Sequence, residues 1–230
     1  MYRYELHCHT ARSSACASLT PEEIVNVYTA NGYTGVFVTD HFLNGNTTVN
    51  RRLPNASYEE KIEEFCKGYE EVKKAAEGKL DVFFGIEVSY RGTDILLYGY
   101  DKESLKKVPE IVDMKFSSLV KYCKEKDILA VQAHPFREDF YIDHIRLFPG
   151  AEGVEVLNSS RNELCNKLGK FYADSYGKIV QTGGSDIHHA SQKVLSGMEF
   201  EEKITSVRHF IRLVRAGKGK IFHLENEYSL

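Results

Sequence analysis

At 230 residues, 42% of them hydrophobic and 27% charged, the chain can bury a sizeable core within one domain, and disorder is excluded. Its formal net charge of −3 offers no electrostatic footprint for long nucleic acid. No apolar stretch reaches the roughly 18 residues that a membrane helix needs.

The first predicted strand is Tyr4–His7. It runs into Leu6-His7-Cys8-His9-Thr10 too early for a charged-then-apolar leader to precede it, so the expected compartment is the cytoplasm. Thr20, Pro21 and Glu23 then spell a capping box for a helix that stops at Gly32. Gly35–Thr39 reads as a strand, Phe42–Ser57 as a long loop carrying Arg51 and Arg52, and Tyr58–Glu77 as an amphipathic helix. Strands are predicted next at Val82–Val88 and Ile95–Tyr100, followed by a helix over Ile111–Lys126 and a strand over Leu129–Ala133. A second long loop, Pro135–Gly150, leads to a strand at Gly153–Leu157, a helix over Asn162–Tyr176 and a strand at Ile179–Thr182. A late strand near Gly197–Phe200 or Ile221–His223 and a helix over Ile204–Ala216 complete the chain. Short apolar strands alternating with helices predict an α/β fold whose strands are buried on both faces.

The five cysteines (Cys8, Cys16, Cys66, Cys123 and Cys165) form no CxxC pair and no disulfide framework, so reduced thiols are expected. The ionisable residues are placed less evenly. His7, His9, His41, His134 and His188 each follow an apolar run. Glu87, Glu155 and Asp186 sit within or just after such runs. In a barrel of parallel strands, residues at strand C-termini build the active site. One histidine after a strand is usually an ordinary loop or core residue, and His144, His189, His209 and His223 are read that way, although His189 adjoins the site. Five at strand ends, with carboxylates, point to bound metal, because imidazole and carboxylate together suit zinc, manganese or iron. Buried carboxylates facing one another also need cations to neutralise them.

These residues form motifs. His7-Cys8-His9-Thr10 reads HxHT; Thr39-Asp40-His41 reads TDH; Ala133-His134-Pro135 reads AHP; Gly184-Ser185-Asp186-Ile187-His188 reads GSDIH; Glu87 lies in Gly85-Ile86-Glu87. In this order the sequence resembles the PHP (polymerase and histidinol phosphatase) superfamily of metal-dependent phosphoesterases across nearly its whole length. The resemblance implies one PHP domain over 1–230. It also implies a distorted (β/α)7 TIM-like barrel with two or three divalent metal ions (Zn, Mn or Fe) at the C-terminal mouth of the strands. By motif, His7, His9, Glu87 and Asp186 hold a first metal, Glu87 bridges to a second held by His134, and His41 and His188 hold a third. Two positions depart from the pattern. The usual third-metal ligand falls at Ala15, with Cys16 beside it as a soft substitute, and the usual second-metal histidine is absent, with Asp94 and Asp101 as candidates.

The implied activity is hydrolysis of a small phosphate monoester, such as histidinol phosphate, a nucleotide or a sugar phosphate, by metal-activated water. Asp40 or His189 is the candidate proton donor to the leaving group. Arg12, Arg137, Arg161 and Asn158, in loops expected at the mouth, are the candidate substrate contacts. The Phe42–Ser57 loop is a candidate lid. Alternatives are a phosphodiesterase or exonuclease-like PHP activity, and a non-catalytic metal-binding module. Metal-dependent C–N hydrolysis ranks lower, because that chemistry usually shows a metal-bridging lysine.

Overall fold

Nine strands share one sheet in the computed structural model, which describes residues 1–228. They are β1 (Tyr2–Cys8), β2 (Gly35–Val38), β3 (Asp81–Ser89), β4 (Asp94–Tyr98), β5 (Leu129–Ala133), β6 (Gly153–Asn158), β7 (Val180–Gly184), β8 (Val194–Phe200) and β9 (Lys220–Glu225). The order across the sheet is β7-β6-β5-β4-β3-β2-β1-β8-β9. The sheet curls until the segment after β7 meets β1. There Cys8 bridges Ile187 in parallel, and His9 N–H donates to the Ile187 carbonyl at 3.2 Å. The result is a nearly closed barrel, with β8 and β9 appended antiparallel beside β1.

The helices are α1 (Pro21–Ala30), α2 (Val49–Arg52), α3 (Tyr58–Ala76), α4 (Lys102–Lys106), α5 (Phe116–Glu125), α6 (Glu163–Ser175) and α7 (Val207–Arg215). Capping boxes start α1 at Thr20 and α3 at Ser57, while Asn162 and Ser206 cap α6 and α7. The far end of the barrel is filled by aromatic rings. Phe210 of α7 packs against Phe37, Tyr98 and Phe200, at 4.6, 5.2 and 6.2 Å between centroids.

Three departures from the sequence reading follow from the packing. The single helix expected over Ile111–Lys126 is a 3₁₀ turn (Pro109–Val112) and α5, separated by extended backbone at Lys115. β4 runs antiparallel to both β3 and β5, which reverses the end it presents at the mouth: Asp94 pairs with Ala133 and Ser89 there, and Asp101 lies at the opposite end as the N-cap of α4. The Phe42–Ser57 segment is a packed wall rather than a lid. Phe42, Leu43 and Val49 are buried in the core, and the Thr47 and Thr48 hydroxyls donate to the Ser13 and Arg12 carbonyls.

Two bulges aim side chains into the barrel. In β1, Glu5 pairs with Val36 and Cys8 with Val38, so two residues, Leu6 and His7, oppose one. Leu6 joins the apolar interior with Phe37 and Leu96, His7 also faces inward, and Cys8 turns outward to the layer under α1. In β6 a bulge between Glu155 and Leu157 does the same, and Glu155 and Asn158 end on one side within hydrogen-bonding distance.

Candidate metal centre

His7, His9, Glu87, His134 and Asp186 converge at the mouth, all buried. Nε2 of His7 lies 3.2 Å from Glu87 Oε1 and 3.5 Å from Asp186 Oδ1. Nε2 of His9 lies 3.2 Å from Asp186 Oδ1 and 3.5 Å from Glu87 Oε2. His134 Nε2 is 3.4 Å from Glu87 Oε1 and 3.9 Å from Asp94 Oδ2. These approaches are close but lack hydrogen-bond directionality: His7 Nε2, His9 Nε2 and both Glu87 oxygens have no hydrogen-bond partner. Buried polar atoms normally find one. Donor atoms aimed past one another at shared points are what cation ligands look like without the cation. Four groups satisfy that geometry: His7/His9/Glu87, His7/His134/Asp186, Glu87/Asp94/His134 and His9/His41/His188. The donor set therefore fits divalent ions. It also separates the two aspartates, because only Asp94 reaches the cluster.

The electrostatics point the same way. Burial pushes Glu87 and Asp186 up, but the surrounding histidines, His41 and His7 around Glu87 and His7 and His9 around Asp186, hold both carboxyls well below their usual range. Burial lowers His7, yet Asp186, Glu155 and Glu87 hold its imidazolium well above the ordinary value. Burial together with His188 and His41 holds His9 well below. Protons on some histidines thus balance the carboxylates where cations otherwise do.

A surrounding layer fixes which ring nitrogen faces the centre. His7 Nδ1 donates to Glu155 Oε1 at 3.0 Å. His9 Nδ1 donates to Ser14 Oγ at 3.1 Å, and that hydroxyl donates onward to Asp40 Oδ1 at 2.7 Å. Both leave Nε2 free for the centre, as in carboxylate–histidine–metal relays. Glu5, fully buried, accepts from His7 N–H and Ser185 N–H, both at 2.8 Å, and so ties β1 to the segment carrying Asp186. His134 and Asp186 sit in left-handed backbone (φ 27° and 50°), unusual for residues with side chains and concentrated at functional sites. Gly184 permits the closeness: a Cβ there would stand 2.6 Å from His7 Cβ and 2.8 Å from Glu155 Oε1.

The other sequence candidates divide. Above the cluster lies a cavity of about 640 Å³ lined by Arg137, Arg161, His189, His188, His41 and Cys16, among others. Arg12 is not there, because Glu64 of α3 holds it at 2.7 Å. Asp40 is not there either. It is buried and accepts from Thr10 N–H, Thr10 Oγ1 and Ser14 Oγ at 2.7–2.8 Å, which pins the HxHT turn and leaves it no route to a leaving group. Asn158 gives its amide to Glu155 and Asp186, at 2.9 and 3.3 Å, and positions carboxylates rather than substrate. Sequence reasoning gave Glu155 no role; the signal was one acid inside an apolar strand.

Glu155 accepts from three donors at once, His7 Nδ1, His134 N–H and Asn158 Nδ2. Glutamine must turn its own amide hydrogens toward at least one of them. Glu155→Gln is therefore expected to weaken zinc binding about 10–100-fold, read by competition with a chromogenic chelator, with far-UV circular dichroism unchanged. Wild-type affinity removes Glu155 from this role.

The PHP domain family model matches residues 5–153. A search of curated proteins finds no match. Among solved structures, a two-domain protein from Bacteroides vulgatus containing a predicted PHP-like metal-dependent phosphoesterase is 11% identical, with a TM-score of 0.67 over 96% of this chain and 64% of its own. This chain thus spans a little under two thirds of that protein. An amidohydrolase from Chromobacterium violaceum, with bound sulfate and no metal, is 18% identical, with a TM-score of 0.58 over 94% of this chain and 96% of its own. The lesion-specific endonuclease PfuEndoQ from Pyrococcus furiosus is 15% identical, with a TM-score of 0.57 over 96% of this chain and 57% of its own. At these identities the likeness is one of fold.

Proposed function

The chain belongs to the PHP domain family, and on that premise we propose that it is a metal-dependent phosphoesterase hydrolysing a small phosphate monoester. The observation that carries the reading is a pair of arginines over the histidine–carboxylate cluster. Arg137 and Arg161 both line the cavity, each has a guanidinium nitrogen 3.4 Å from one carboxylate of the cluster, and the buried Nε of each lacks a partner. Guanidiniums lining a cavity above a candidate cation site suit a phosphoryl group's outer oxygens. A cavity of about 640 Å³ has the size of a metabolite site.

His7, His9, Glu87, Asp186 and His134, with Asp94, His41 and His188 beside them, would hold two or three zinc, manganese or iron ions, which would supply Lewis acidity toward phosphoryl oxygens and lower the pKa of water. The protein's own groups do the rest. Arg137 and Arg161 orient the phosphoryl group and balance charge that grows in the transition state. His189 lines the cavity, oriented by Ser18 Oγ at 2.8 Å from its Nδ1, and donates a proton to the leaving alkoxide. A phosphodiester substrate is favoured by one feature, the almost fully exposed Phe140 beside Tyr141 on the rim loop, which offers rings for base stacking.

A panel of phosphorylated metabolites, histidinol phosphate and sugar and nucleotide monophosphates included, is expected to release phosphate in a chelator-sensitive way. Arg137→Ala and Arg161→Ala each remove hydrogen bonds to a charged group, worth ~1.5–3 kcal/mol, and should raise KM on the order of 10–100-fold. Cleavage of dinucleotides without monoester turnover turns the reading to the diesterase. Metal binding without either activity turns it to a binding module.

A further inference from the structure

We propose that the outer face of α6 is a two-fold interface on which a second copy of this chain packs, helix against helix and antiparallel. The inference goes beyond the phosphoesterase reading and does not depend on the metal centre.

α6 carries two apolar faces. On the inner one, Cys165, Gly169, Tyr172 and Ala173 are buried, and Tyr172 and Ala173 pack with Val154 and Val156 of β6. On the outer one, Leu164 is 59% exposed, Leu168 38% and Phe171 72%, and Tyr176 at the C-cap is 56% exposed. Single apolar side chains at a surface are ordinary. A row spaced i, i+4 and i+7 is a continuous stripe, on a helix whose other face already serves the core.

The charges beside the stripe indicate what covers it. Glu163, Lys167, Lys170 and Asp174 are exposed and sum to zero, so the basic rim of a helix lying on an anionic membrane is missing. Leu164, Leu168, Phe171 and Ser175 have the alternating spacing of a coiled-coil seam, and Lys167 and Asp174 each stand one residue before a seam position, on its open flank. In an antiparallel pair these flanking positions face each other. With Leu168 against Phe171 of the partner copy, Lys167 meets Asp174 of the partner copy, twice per dimer, and Leu164 meets the Ser175–Tyr176 end. A slip of seven residues either way sets Lys167 against its own copy or Asp174 against its own copy, so charge selects one register. A parallel pair needs the other flank, and there Cys165 and Tyr172 are buried in the domain. The same patch thus serves both copies, as a two-fold interface requires.

Sedimentation equilibrium across the micromolar range tests this. The wild-type protein is expected to reach twice the chain mass. Phe171→Glu and, separately, Leu168→Glu put a charge into the seam twice per dimer and should weaken association on the order of 100-fold or more. Far-UV circular dichroism should not change, because both side chains are exposed. Lys167→Glu should weaken association about tenfold, and adding Asp174→Lys should restore it. Within each helix the double variant still sets like charges beside Glu163 and Lys170, so recovery comes only from across the two-fold axis. A wild-type protein that stays monomeric overturns the proposal, and a monomer that floats with anionic lipid vesicles assigns the stripe to a membrane instead. A dimer that survives both seam variants also overturns it. A double charge variant as weak as the single one overturns the antiparallel register.

Discussion

Glu87→Gln is expected to lower kcat/KM for the best phosphate substrate by about 10³–10⁴-fold, with the fold retained. Glu87 stands among four of the cluster's histidines. One oxygen approaches His7 and His134, the other His9 and His41, and neither has a hydrogen bond of its own. A carboxylate placed this way would share its charge between cations bound on either side. Glutamine keeps the volume but offers only one oxygen and no charge. The loss of cation-based charge stabilisation is worth several kcal/mol, and about 1.4 kcal/mol is tenfold in rate. Metal content by plasma emission spectrometry should fall by at least one ion in the same variant. A variant that keeps full metal content and wild-type kcat/KM removes Glu87 from the centre. The neighbouring Glu155 is a useful contrast, since it acts through His7, and its loss is expected to cost about two orders of magnitude less.

The cluster was legible in the sequence because the residue types able to bind metal are fixed by their chemistry. His7, His9, His41, Glu87, His134, Asp186 and His188 were all singled out from residue type and position after apolar runs, and the fold brings them together. Barrel class was legible for the same reason that short buried strands alternate with capped helices. What was illegible depended on distant partners. Whether Arg12 reaches a substrate is decided by Glu64, on a helix that packs beneath the HxHT turn. Asp40 and Asn158 look like active-site polar residues, and only the folded chain shows that their hydrogen-bonding capacity is already used by Thr10, Ser14, Glu155 and Asp186. Strand direction was equally hidden. A buried strand reads the same whichever way it runs, so the choice between Asp94 and Asp101 waited on the antiparallel pairing of β4. The β1 bulge escapes strict alternation as well, since it turns Leu6 and His7 to one side.

Zinc or manganese is expected to raise the melting temperature of the metal-free protein by about 8–16 °C, with the gain growing as pH rises above neutrality. A ligand at about 1,000 times its Kd stabilises by ~4.1 kcal/mol, and for a chain of this size each kcal/mol moves Tm by about 2–4 °C. The pH dependence follows from what holds the centre together without cations. The folded values of His7 and His41 are raised well above their ordinary range: burial opposes this, while Asp186 and Glu155 around His7, and Glu87 beside His41, bring it about. Stability from a raised histidine is fully present below its unfolded value of about 6.5 and is lost as pH rises through the folded value. Glu5 has the same sign, since burial pushes its carboxyl up to about 7 and the fold disfavours its ionised form. Cys16, where His188 and His41 outweigh burial and bring the thiol down to about 6, has the opposite sign and offsets the raised His188 that faces it. His9, held low, adds no slope above about pH 6.5. The net slope of the metal-free protein above pH 6.5 is therefore downward. Bound cations replace the lost protons and compete with fewer of them, so the metal-loaded protein should stay level over the same window. Differential scanning calorimetry from pH 6 to 9, with and without metal, measures both curves. Parallel curves would show that the histidine protons and the cations do not occupy the same centre.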